Sequence, residues 1–211
     1  MSETRQIINV PVFQPPNIFK FCDISFEKPL VSDNIKLVYM NEIGIIMSNN
    51  NNYDYIGTCA LATCIALIGQ CNQTGITLVA HLSDCTDVTK SIYLLNNILS
   101  TPSRVDVTLN IWLIGGFLGY SEPLFESIIA SLHNIATFSF NIREISVMKS
   151  FVCKSVAINI KTGEIHDYVY YYKDVTDLSF RYKLPIDIDK YAEADDTDMS
   201  QFEIHYQCDI P

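Results

Sequence analysis

Two threonine–cysteine pairs, Thr58-Cys59 and Thr63-Cys64, stand just ahead of an apolar run at 65–68, and His81 closes the next apolar run after Val79-Ala80. If the two runs pair antiparallel, the start of one and the end of the other fall at the same edge of a sheet. A thiol and an imidazole meeting there make a nucleophile and a proton shuttle, with the imidazolium stabilising the thiolate. A third group has to orient the imidazole, and a Thr hydroxyl or a backbone carbonyl from a loop at 54–58 is placed to do so. The same residues have ordinary readings. Cysteine is among the most buried residue types, so any of the seven also serves as a core thiol. A histidine at a strand end is commonly just a hydrogen-bonded side chain. A metal site from Cys59, Cys64, Cys71, Cys85 and His81 lacks the closely paired cysteines of zinc modules, so no metal is expected.

These groups sit in a chain whose hydrophobic spacing is mostly that of strands. Short apolar stretches at 37–40 and 43–47 read as strands, followed by a polar loop at 48–53 that holds four consecutive asparagines. The runs at 65–68 and 76–80, separated by a turn-rich stretch, read as a buried pair. Thr86-Asp87 supplies N-cap chemistry before Val88, Ile92, Leu95 and Leu99, which recur at helical spacing. A strand at 105–114 carries Trp112 and ends at Gly115-Gly116. Ser121 opens a second helix with Glu122 and Pro123 in its first turn and Leu124, Ile128, Ile129 and Leu132 on one face. Strands at 140–148 and 155–160 follow, and the turn 161–164 leads into 165–172 as a hairpin. Residues 187–198 read as an acidic solvated loop and 201–207 as an edge strand. The sum is a strand-dominated α+β or α/β domain that lacks regular βαβ alternation.

The bulk composition bounds the partners. A chain of 211 residues, 48% hydrophobic, predicts a single domain over 1–211 with a real core. Its 24 acidic against 14 basic side chains give a net charge of −10, which argues against nucleic acid and favours a neutral or cationic ligand. No apolar stretch is long enough to span a membrane, and residues 1–10 have no signal-peptide pattern. Seven cysteines, an odd number, fit a reduced, cytoplasmic protein better than a disulfide framework.

Thr58, Cys64 and His81, in that order, resemble the arrangement of CheD-like cysteine deamidases and their bacterial toxin relatives. The closer resemblance is to the protein N-terminal asparagine amidohydrolase family. It is carried by Thr63-Cys64 before an apolar strand, His81 after the next strand, Asp84 to Asp87 leading into a helix, and Leu94-Leu95-Asn96 within it. Further along, Ile111-Trp112-Leu113-Ile114-Gly115-Gly116-Phe117 resembles that family's apolar strand ending in Gly-Gly-Phe. Val156-Ala157-Ile158-Asn159-Ile160 with the turn Lys161-Thr162-Gly163-Glu164 resembles its late strand. The likeness spans about 35–172.

The resemblance implies an α+β fold, with mixed, largely antiparallel sheets packed as a sandwich and flanked by helices. It implies Cys64 as nucleophile, His81 as base and then acid, and Thr58 as the group orienting His81. The reaction is then deamidation of an N-terminal asparagine to aspartate through a thioester, with no cofactor, on protein or peptide N-termini that such an enzyme turns into N-degrons. Binding the free α-ammonium calls for a nearby carboxylate, with Asp84, Asp87 and Asp54 as candidates. Their plainer roles are a turn former for Asp84 and a helix N-cap for Asp87. A CheD- or toxin-like glutamine deamidase acting on internal side chains, and a non-catalytic binding module on the same fold, are the competing expectations.

Overall fold

The computed structural model describes residues 19–22, 34–100, 107–149, 153–167 and 181–185. In chain order the elements are β1 (Phe19–Cys22), β2 (Ile35–Val38), β3 (Glu42–Met47), β4 (Tyr55–Leu61), β5 (Ile65–Cys71), β6 (Ile76–Leu82), α1 (Val88–Leu99), β7 (Thr108–Phe117), α2 (Glu122–Ile135), β8 (Ser139–Met148), β9 (Lys154–Asn159), β10 (Ile165–Asp167) and β11 (Arg181–Lys183). One sheet runs β1-β8-β7-β5-β6-β3-β11 and the other β10-β9-β4-β2. Both mix parallel and antiparallel pairs, with β7–β8, β1–β8 and β2–β4 parallel. This is an α+β sandwich.

Two cores follow from the two-residue period of the strands. On β5, Ile65 and Leu67 face the apolar stripes of the helices, Val88, Ile92, Leu95 and Leu99 of α1 and Leu124, Phe125, Ile128 and Leu132 of α2. The alternate residues Ala66 and Ile68 face Ile56, Val156 and Ile158 of the smaller sheet. Covered on both sides, β5 is buried at every position, which is why its first four residues, Ile65 to Ile68, form an unbroken apolar run rather than an alternation.

Three expectations change. The stretch 54–58, taken as a loop, mostly belongs to strand β4, whose Gly57 weakens the strand signal. Gly57 is needed there because a Cβ would come within 2.5 Å of the Val156 carbonyl oxygen. The strand read as ending at Gly115-Gly116 continues through both glycines to Phe117. Ser121 stands at the N-cap of α2 but makes no side-chain capping bond. The readings at 168–172, 187–198 and 201–207 lie outside the described residues.

Candidate active site

The β5–β6 register pairs Ala66 with His81 and Ile65 with Leu82. His81 alternates with Leu82 and so projects between the two sheets, beside Val79 of the inter-sheet core. Cys64, one residue before β5, packs in that same core, diagonal to His81 across the strand pair. Thr58 comes from the other sheet. Its Oγ1 lies 2.7 Å from His81 Nδ1, so the contact crosses the sandwich. Thr58 also donates its hydroxyl proton to the Val38 carbonyl at 2.7 Å. Having spent that proton, Thr58 accepts from His81, which puts the imidazole proton on Nδ1 and leaves Nε2 a bare lone pair. Nε2 is buried and has no hydrogen-bond partner among the described residues.

Backbone irregularity separates the two Thr-Cys pairs. Between Thr58 and Leu61 the β4–β9 register shifts, and Ala60 takes a left-handed φ of 59°. Bulges of this kind re-aim side chains near functional sites. Thr58 points inward, whereas Cys59 packs with Leu37 and Ala157 on the outer face of the smaller sheet. Cys64 is therefore the thiol on the His81 side.

Burial governs the charge state of the pair. The Cys64 thiol is pushed up to about 12, mainly by burial and then by the negative charge of Asp84, with the Thr63 hydroxyl opposing. His81 is pushed down to about 4 by burial, with Glu42 opposing. At rest the site thus holds a neutral thiol and a neutral imidazole, in place of the ion pair expected from the residue types. No hydrogen bond joins Cys64 Sγ to Nε2, so the thiol and the imidazole share the inter-sheet core as two separate neutral groups.

Over residues 28–173, well over half its length, the chain matches the family model for protein N-terminal asparagine amidohydrolase. The chain belongs to that family. No curated protein is matched by the chain. The matched span contains Thr58, Cys64 and His81, both helices and strands β2 to β10. As a member of the N-terminal asparagine amidohydrolase family, the protein is a hydrolase of the asparagine side-chain amide.

For an amidohydrolase of N-terminal residues, the placement of acids bears on how an α-ammonium is held. Asp84 lies close enough to Cys64 for its charge to disfavour the thiolate, and it lines a cavity of about 260 Å³ with Thr63, Thr86, Tyr120 and Ser121. Asp87 is engaged as the N-cap of α1, accepting from the Lys90 amide at 3.0 Å and pairing with Lys90 Nζ at 2.8 Å. Asp54 accepts from Asn34 Nδ2 at 2.9 Å just before β4. Four residues of strand, roughly 13 Å, separate it from Thr58. Thr58 bonds His81, Cys64 shares their inter-sheet core and feels the charge of Asp84, while the Asp87 and Asp54 carboxylates bond Lys90 and Asn34.

Two residues of this amidohydrolase escaped the sequence reading. Glu42, only 4% exposed, pairs directly with His81 in the β3–β6 register, and its carboxylate accepts from the Tyr39 amide at 3.1 Å. Asn41, at a φ of 57°, accepts from the hydroxyls of Ser83 at 2.9 Å and Thr86 at 2.7 Å, bracing the loop that carries Asp84. A charge opening the apolar strand Glu-Ile-Gly-Ile-Ile-Met was the available signal for Glu42. Among the described residues, no cluster of His, Cys, Asp and Glu could hold a metal ion, and no helix is long and apolar enough to cross a membrane.

Proposed function

We propose that the protein deamidates an N-terminal asparagine through a Cys64 thioester, with His81 as proton carrier and Thr58 as its orienting partner. The carrying observation is the Thr58–His81 bond across the sandwich, because it leaves Nε2 unprotonated on the face that Cys64 shares. As Sγ attacks the side-chain carbonyl carbon, Nε2 takes the thiol proton and a tetrahedral oxyanion forms. His81 then returns that proton to the amide nitrogen, and the C–N bond breaks to give ammonia and a thioester. A water enters, gives a proton to Nε2 and attacks the thioester. The C–S bond breaks, Cys64 regains its proton from His81, and an aspartate side chain leaves. No cofactor takes part.

Asp84 supports N-terminal selectivity, since it is an acid in the cavity that adjoins the Thr63–Cys64 loop. An ammonium held there would stand near the nucleophile. Glu42 offsets part of the cost of the buried imidazolium formed during each proton transfer. The decisive experiment is intact-mass analysis of peptides beginning with Asn, run beside the same peptides acetylated at the α-amine and beside peptides with internal Gln. Free Asn peptides are expected to show the mass gain of amide-to-acid conversion, and Cys64→Ala protein is expected to show none while unfolding at the same temperature. Equal conversion of acetylated peptides would refute the N-terminal reading, and conversion of internal Gln alone would replace it by the CheD-like one.

A further inference from the structure

The residue that opens α2 forgoes the job its position offers. Serine at an N-cap ordinarily accepts from an amide two or three residues into the helix. Ser121 instead accepts from the Phe117 amide at 2.9 Å and donates its hydroxyl proton to the Thr63 carbonyl oxygen at 2.9 Å, 58 residues back along the chain. It is 3% exposed, so neither bond is shared with bulk water. One peptide further, the Cys64 carbonyl accepts from the Gly116 amide at 2.8 Å. The peptide groups on both sides of the cysteine are therefore held by the corner between β7 and α2.

The Gly115-Gly116 pair makes that clamp possible. Gly115 has a φ of 113°, and a Cβ on it would lie 2.6 Å from the Cys64 carbonyl oxygen. Gly116 has a φ of 68°, and a Cβ there would lie 2.8 Å from the Ser121 Cβ. Both glycines are spent on bringing backbone up to the Cys64 loop and to Ser121. In a planar trans peptide, the C=O and the following N–H point in opposite directions. Fixing the Thr63 carbonyl consequently fixes the Cys64 N–H. Among the described residues, that N–H donates to no other group.

We infer that Ser121 is a positioning residue that holds the Cys64 amide ready to donate to the oxyanion formed on the substrate carbonyl. Resting on the amidohydrolase reading above, the inference adds the group that receives the developing charge and the side chain that aims it. A donor fixed in advance stabilises the tetrahedral state without reorganising during the reaction, which is where such groups contribute most.

The test compares wild type, Ser121→Ala and Ser121→Thr, using the full chain and an Asn-initiated peptide. Removing a well-placed oxyanion donor costs about 100-fold or more, so misaiming one is expected to lower kcat by roughly 10- to 100-fold with KM nearly unchanged. A peptide whose first residue carries a side-chain aldehyde forms a hemithioacetal with Cys64 and samples the same oxyanion. Its affinity is expected to fall with kcat in Ser121→Ala, while affinity for the Asp-initiated product peptide holds. Ser121→Thr keeps the hydroxyl and is expected to restore most of the rate; Ser121→Cys, close in volume but a weak donor, is expected to lose rate as alanine does and replaces it in the comparison if the alanine variant does not fold. The inference is overturned if Ser121→Ala keeps the wild-type kcat, or if aldehyde and product affinity fall together, as from a merely structural role. Absence of ammonia release by the wild type itself would overturn the amidohydrolase reading, and the oxyanion role with it.

Discussion

A single hydroxyl proton sets the direction of chemistry at the site. Because Thr58 gives its proton to Val38, it receives one from His81, and the basic nitrogen of the imidazole is the one facing away from Thr58. Thr58→Val removes the acceptor, leaves the Val38 carbonyl and His81 Nδ1 unpaired in a dry site, and is expected to cost about 1–3 kcal/mol of stability. The same variant is expected to lose most of its kcat, with Thr58→Ser retaining both; denaturant unfolding and ammonia release check the pair. The thiol behaves as its burial dictates. With its proton held up to about 12, Cys64 is expected to react with iodoacetamide more slowly at neutral pH than the exposed Cys153, as read by peptide mapping. A Cys64 that is alkylated first, as fast as a low-pKa thiolate, would mean the resting site is an ion pair after all.

At the scale of elements, the positioning is done by irregular pieces rather than by the regular lengths of strand. The pleat of β4 sends Thr58 inward and Cys59 outward, the bulge after Thr58 turns Leu61 into the inter-sheet core, and the left-handed glycines at the end of β7 admit the Cys64 loop. Gly115→Ala is expected to destabilise by more than about 2 kcal/mol, because it adds both a forbidden φ and a backbone clash. Urea unfolding measures this, and a loss under 0.5 kcal/mol, the ordinary range for a surface change, would show the corner to be loose. Helix α1 offers the contrasting case. Asp87→Ala removes a true cap and is expected to cost about 1 kcal/mol without altering kcat, since its carboxylate is engaged with Lys90 rather than with the site.

For the whole molecule, the sandwich keeps Cys64 and His81 neutral by burying them, and stability should follow pH accordingly. His81 titrates near 6.5 when unfolded and near 4 when folded. Below 6.5 the unfolded chain takes up a proton that the folded chain refuses, so stability is present above that pH and is lost as pH falls towards 4. The shift corresponds to roughly 3 kcal/mol, reduced by whatever Glu42 repacks to offer. Cys64 acts at the other end, its contribution present below 9 and lost as pH rises towards 12. Thermal unfolding of wild type and His81→Asn between pH 7 and pH 4 is expected to show the wild type losing more stability on acidification, and parallel curves would contradict the assignment.

Much of this architecture was legible in the amino-acid order. The helical spacing of Val88, Ile92, Leu95 and Leu99, the apolar runs at 65–68 and 76–80, and Asp87 as cap are local patterns that neighbours in sequence enforce. The turn between those runs is shorter than the turn-rich stretch suggests, since β5 continues through 69–71 and only 72–75 turn. The residue types and order of Thr58, Cys64 and His81 named the family whose model spans 28–173. Tertiary structure decided what local pattern cannot carry: that Thr58 reaches His81 from a different sheet, that Glu42 lies across from the imidazole, and that Ser121 serves the loop at Thr63 instead of its own helix. Each of those is a contact between residues 20 to 60 positions apart, or across strands, set by register and by the stacking of two sheets. Sequence alone determined which groups were available for chemistry; the packing of one sheet on the other determined which of them face each other, and in which protonation state.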